Sequence, residues 1–142
     1  MNKLNTEVDK LNYYDDYRAV LVDQSMNIYD VNEGFVKGTI FKTLYEPYKN
    51  YQPKAVVAST DKEKMMLNIQ KLTAACHDLG LYLDVYPKDT NALSLRSKYQ
   101  KELSEMVKEY DNKYPPFSID SEYLSKAPWK WSTTSFPWEV KK

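Results

Sequence analysis

The sequence predicts an all-α protein: a long antiparallel helical hairpin, preceded by an irregular segment with one short helix and followed by an irregular Pro/Trp-rich C-terminal tail. Three observations carry that expectation. After Thr60, apolar residues fall at Met65, Ile69, Leu72, Cys76, Leu79 and Leu83, steps of three and four that keep one stripe on one side of a helix. After Asp89, the stripe Ala92, Leu95, Tyr99, Leu103, Met106 and Tyr110 repeats the same spacing. Only Pro87, Lys88 and Asp89 separate the two runs, and a connection that short makes antiparallel neighbours whose stripes face each other.

From the N-terminus, residues 1–16 are polar and charged, with Leu4, Val8 and Leu11 at the spacing of a short amphipathic helix. The run Tyr17 to Val22 is apolar and β-branched enough for a short strand or a buried extended segment. Asp30 with Glu33 gives a box-like helix start, and Gly38 suits the left-handed position that ends a helix, so a short helix is expected over Val31 to Lys37. Pro47 and Pro53 preclude a long helix beyond it. The module boundary falls near Pro53 to Ser59, dividing the chain into residues 1–57 and 58–142.

Thr60 and Glu63 have the spacing of a capping box. Pro87 disfavours helical angles at Tyr86 and stops the first long helix, and Asp89 is the natural N-cap of the second. Pro115-Pro116 ends that helix, and the tail beyond holds all three tryptophans, Trp129, Trp131 and Trp138. Two helices give one seam, so Leu81, Tyr82, Val85, Leu93 and Val107, which lie off the stripes, are expected to stay wet unless something covers them.

Composition excludes several function classes. Lysine plus arginine (20) balances aspartate plus glutamate (20) in 142 residues, which leaves no basic face to displace the counterions of a nucleic acid. No run has the apolar length that crosses a bilayer. The N-terminus lacks the apolar core of a secretory signal, so synthesis and retention in a cytosol are expected. With Cys76 as the single cysteine, neither an internal disulfide nor a thiolate metal cage can form. Tyrosine is the outlier at 13 residues; such rings give contact area with a polar handle, which suits interfaces as well as cores.

The chemistry-bearing residues do not group into a catalytic constellation. Cys76 and His77 are adjacent, and neighbouring helical positions do not face each other. Cys76 also falls in the apolar stripe, where a thiol is a small inert hydrophobe, so a core cysteine beside a surface histidine is the better reading. Glu102, Glu105 and Glu109 interleave with Lys101 and Lys108 as on a solvated helix face. No Glu-x-x-His pair is present to build a di-metal site, and isolated Gly34 and Gly80 make no phosphate loop. Met65, Met66 and Leu67 read as core. No catalytic residue, metal or cofactor is therefore expected. The tryptophans either fold over the hairpin or insert into a partner, since tryptophan is enriched among interface hot spots.

Two stretches resemble the CotJ spore-coat families. Leu81 to Leu93, LYLDVYPKDTNAL, is similar to the CotJB pattern of Leu-Tyr-Leu-Asp followed by a proline and a helix-opening aspartate, and APWKW…FPWEV matches its proline–tryptophan ending. The likeness covers about residues 62–140. Tyr86 stands where that pattern would have histidine. Ahead of it, about residues 14–56 are similar to CotJA, with Ile28 to Tyr48 carrying a Tyr-Asp start, a short helix, Gly-Thr-aliphatic-Phe and Leu-Tyr-x-Pro-Tyr. Lys42 replaces a usual proline there, and Gly34-Phe35 an Ala-Leu pair. The resemblance implies a non-enzymatic structural or assembly protein of the endospore coat, made in the mother cell and laid on the forespore. It also implies other coat proteins as partners, among them a CotJC protein resembling manganese catalases, to which any redox metal chemistry would belong. A second copy of the chain is a further candidate partner. The expected contact residues are Trp129, Trp131 and Trp138, then Tyr45 and Tyr48, with Tyr82 and Tyr86 either packing the helix end or joining that surface. The rival reading is a helical adaptor or regulator unrelated to spores.

Overall fold

In the computed structural model, residues 26–134 are described. The expected helix at Leu4 to Leu11, the strand at Tyr17 to Val22 and Trp138 lie outside them. Two compact units divide the chain, Met1–Val56 and Val57–Lys142.

In the first unit, helix α1 spans Val31–Lys37, the range expected from its end signals. The Asp30 carboxylate accepts the amides of Asn32 (2.8 Å) and Glu33 (3.1 Å), while Glu33 turns instead to Lys37 in an i,i+4 ion pair of 3.2 Å. Gly38 closes the helix at φ 82°, a conformation costly for a residue with a Cβ. Around the helix, Tyr29 donates to Ile40 O (2.7 Å) and Lys42 to Asn27 O (3.1 Å), forming an isolated antiparallel bridge between Ile28 and Phe41. This brings Ile40, 3% exposed, onto Gly34.

A Cβ on Gly34 would sit 2.8 Å from Ile40 Cγ2 and 3.1 Å from Ile40 Cα. Gly34→Ala is therefore expected to destabilise this unit by about 1–3 kcal/mol, the usual cost of overpacking. Gly80, by contrast, would meet only the Arg96 side chain, with Nε at 3.6 Å and Nη2 at 4.0 Å. Gly80→Ala should stabilise the hairpin by about 0.5–1 kcal/mol through helix propensity. Hydrogen exchange over 26–45 reads the first change and thermal melting of helical ellipticity the second; two effects of the same sign would refute the packing account.

The second unit is built on the predicted hairpin. Helix α2 runs Asp61–Val85 and opens with the full capping box: Thr60 Oγ1 accepts the Glu63 amide at 3.2 Å, and Glu63 Oε2 accepts the amides of Ser59 (2.8 Å) and Thr60 (3.1 Å). These amides hold the Glu63 carboxyl below its ordinary pKa. Helix α3 runs Thr90–Lys113, with Asp89 as N-cap and Tyr114 as C-cap. The register is the same at both ends of the pair. Arg96 Nε lies beside Gly80 and donates to Cys76 O at 3.3 Å near the elbow, and Lys62 Nζ lies 5.9 Å from the Tyr114 ring centre at the open end.

The seam buries Ile69, Leu72, Ala75, Cys76 and Leu79 of α2 with Ala92 and Tyr110 of α3. The two predicted stripes are buried to different depths: four of six residues on α2 are buried, but only two of six on α3. On α2 only Met65 and Leu83 remain half-buried, whereas on α3 Leu95, Tyr99, Leu103 and Met106 are all half-buried. Off the stripes, Leu81, Val85 and Leu93 are exposed as expected. Tyr82 and Val107 are half-buried instead; for Tyr82 the reason is the elbow described below.

The tail is more ordered than its lack of periodicity implied. It contains a 3₁₀ turn at Glu122–Leu124 and a four-residue helix α4, Lys130–Thr133, with Leu124 buried. Among the described residues, no helix is long and apolar enough to cross a membrane.

Candidate contact surface

Tyr82 and Tyr86 sit at the elbow. Their ring centres are 4.8 Å apart, and the Tyr82 hydroxyl donates to Asp89 Oδ2 at 2.8 Å. The other oxygen of that carboxylate accepts the amides of Asn91 and Ala92, each at 3.0 Å. One side chain thus caps α3 and ties down the last full turn of α2. Burial, and then the adjacent carboxylate, push the Tyr82 phenol up to about 12. The backbone amide of Ala92, then the Tyr82 hydroxyl, hold the Asp89 carboxyl below its ordinary value.

A phenol whose pKa is raised on folding adds stability that is complete below the unfolded value of about 10. That stability is lost as pH rises towards the folded value. Tyr82→Phe should therefore flatten the alkaline decline in stability between pH of about 10 and 12. Burial pushes the Tyr110 phenol up as well, so the wild type should show a late phase in phenolate absorbance that loses one tyrosine in Tyr82→Phe; a late phase unchanged in the variant would refute the assignment.

The tryptophans lie in the tail. Trp129 is 48% exposed, Trp131 is half-buried one residue into α4, and Trp138 is beyond the described residues. Lys130, between the first two, lines a cleft of about 370 Å³ with Asn112, Glu122, Tyr123, Ser125 and Lys126. Asn112 belongs to the last turn of α3, so these indoles are at the open end of the hairpin. The elbow tyrosines are at the other end, a helix length of roughly 36 Å away. The structure accordingly gives the second unit two separate aromatic places.

In the first unit, the Tyr45 ring meets Tyr29 edge-on with centres 6.2 Å apart. Lys37 Nζ lies over both rings, at 4.3 and 4.4 Å, a cation–π arrangement that fixes Tyr45 in its own unit. Tyr48, 89% exposed, and Tyr51, 56% exposed, stand out on the strap that follows, where Asn50 takes φ 67°.

Sequence reasoning missed Asp111. It is 7% exposed, Oδ1 accepts the Phe117 amide at 3.2 Å, and Oδ2 accepts the Ser121 hydroxyl at 3.1 Å. One signal was available: a carboxylate in a last helical turn opposes the macrodipole, so something else must hold it there. Cys76 is buried and its thiol pKa is pushed up by burial, which disfavours the thiolate a nucleophile needs; His77 is exposed. Among the described residues, no group of three or more His, Cys, Asp or Glu gathers where it could hold a metal ion.

Comparison with known proteins adds the identity that geometry alone does not. The family model for the CotJB protein matches residues 63–139, which spans α2, α3 and the tail. A second, spore coat associated protein JA (CotJA), matches residues 24–48, around α1 and its bridge. No curated protein and no solved structure gave a match. With more than half of its length matched, and a CotJA segment ahead of that match, this chain belongs to the CotJB family and is spore coat-associated.

Proposed function

We propose that the protein is a structural or assembly component of the endospore coat that works through protein–protein contacts. The observation that carries this reading is Trp129: an indole left 48% exposed beside a short helix is the residue type most enriched among interface hot spots. Trp131 and Trp138 are further contact residues of the tail, Tyr48 and Tyr45 provide a second set in the first module, and Tyr82 and Tyr86 chiefly hold the elbow. Modules 1–57 and 58–142 are a CotJA-like and a CotJB-like part tethered in one chain, which raises the effective concentration of each for the other's partners. The partners are other coat proteins, with the manganese-catalase-like CotJC first among them and a second copy of this chain next. Synthesis in the mother cell follows from the same reading.

Co-expression with the catalase-like companion, followed by mass measurement of what co-purifies, tests the partnership. Replacing Trp129, Trp131 and Trp138 by alanine should reduce capture of that companion at least tenfold, since hot-spot truncations cost about 2 kcal/mol or more each. Undiminished capture would remove the tail from the interface.

A further inference from the structure

The last turn of α3 holds the tail at one point and shares a cleft with it at a second. At the first, Asp111 receives the Phe117 amide and the Ser121 hydroxyl, and the Phe117 ring stacks on Tyr110 with centres 4.5 Å apart. At the second, Lys130 shares its cleft with Asn112, the residue after Asp111. Trp129 and Trp131 flank that lysine in the sequence. Between the two points, Leu124 is buried, at 7% exposure.

We infer that Asp111 is the positioning residue of the aromatic tail: its two hydrogen bonds decide whether residues 117–131 lie docked on α3 or hang free. A buried carboxylate bound by two donors is among the stronger polar fasteners, because its hydrogen bonds are charge-assisted. Set free, the ten residues that follow Ser121, as far as Trp131, could reach about 33 Å, and a partner would have to order them at roughly 1–2 kcal/mol per residue. Docked, that ordering has already occurred, and preorganisation of this kind raises affinity without adding a contact. The functional consequence rests on the reading of the tryptophans as contact residues; the docking itself does not.

The test uses the full chain with Asp111→Ala, Asp111→Asn and Ser121→Ala, read by amide hydrogen exchange over 115–131 and by melting of the helices. Asp111→Ala should lower protection of residues 117–131 at least tenfold. Ser121→Ala, which removes one of the two bonds, should fall between it and the wild type. Asp111→Asn keeps an oxygen for the Phe117 amide but loses the charge, and should restore part of the protection; protection no higher than in Asp111→Ala would overturn the inference. Wild-type protection in Asp111→Ala would overturn the inference. Should that variant unfold the hairpin as well, Ser121→Ala decides, and unchanged exchange there would overturn it too. Capture of the catalase-like companion by a Trp129→Ala/Trp131→Ala chain is scored separately: a tail loosened in Asp111→Ala with capture unaffected by loss of the indoles upholds the docking role and refutes the contact reading.

Discussion

Leu79→Ala is expected to cost the hairpin about 3–5 kcal/mol, the upper part of the range for a buried leucine. Among the described residues, Leu79 is the one large side chain that is fully buried, at 0% exposure, and the seam it belongs to also buries Ala75 on its own helix and Ala92 at the start of α3. Alanines cannot reach into the space that the lost Cγ and two Cδ groups would leave, so the site can close only by moving the helices together. The Arg96 bond to Cys76 O and the capped elbow resist that movement. Urea unfolding followed by far-ultraviolet ellipticity measures the loss. A change under about 1 kcal/mol would mean that the seam collapses freely, against the interior packing argued for here.

Asp89→Ala should be the largest single polar change, about 2–3 kcal/mol: a lost N-cap is worth about 1 kcal/mol and up to 2, and the Tyr82 hydroxyl loses a charged acceptor as well. Its pH dependence gives a second check. Because folding lowers the Asp89 pKa, the contribution is complete above the unfolded value of about 3.9 and is lost as pH falls through the folded value. The difference between wild type and Asp89→Ala should therefore be large at neutral pH and shrink in acid. A difference that stayed constant into strong acid would show that the carboxylate is not the cause. Asp89→Asn, which caps nearly as well, should recover the larger share.

Both variants sit on features that are legible in the sequence. The cap at Asp89 and the stripe through Leu79 could both be read directly, because caps and periodicity act over three or four residues along one helix. The same holds for α1, whose bounds follow from Asp30 and Gly38. The role of Asp89 as a tie to Tyr82 was hidden, since it depends on where the chain returns after Pro87. Asp111 was hidden for the same reason: its donors, Phe117 and Ser121, lie in a stretch with no period at all. Among the expected contact residues, Tyr82 and Tyr86 pack against each other at the elbow and Tyr45 meets Tyr29 in its own unit, while Tyr48 and Trp129 stand exposed.

What the sequence by itself determined is the set of helices, their ends and their antiparallel pairing, together with the motifs that mark the family. Those are local matters of capping, φ restriction at proline and side-chain period. Only the tertiary structure decided which aromatic rings are spent on internal packing and which remain outside, and that the tail returns to α3 through a buried carboxylate. Burial depends on what arrives from elsewhere in the chain, and no spacing along a single segment records that.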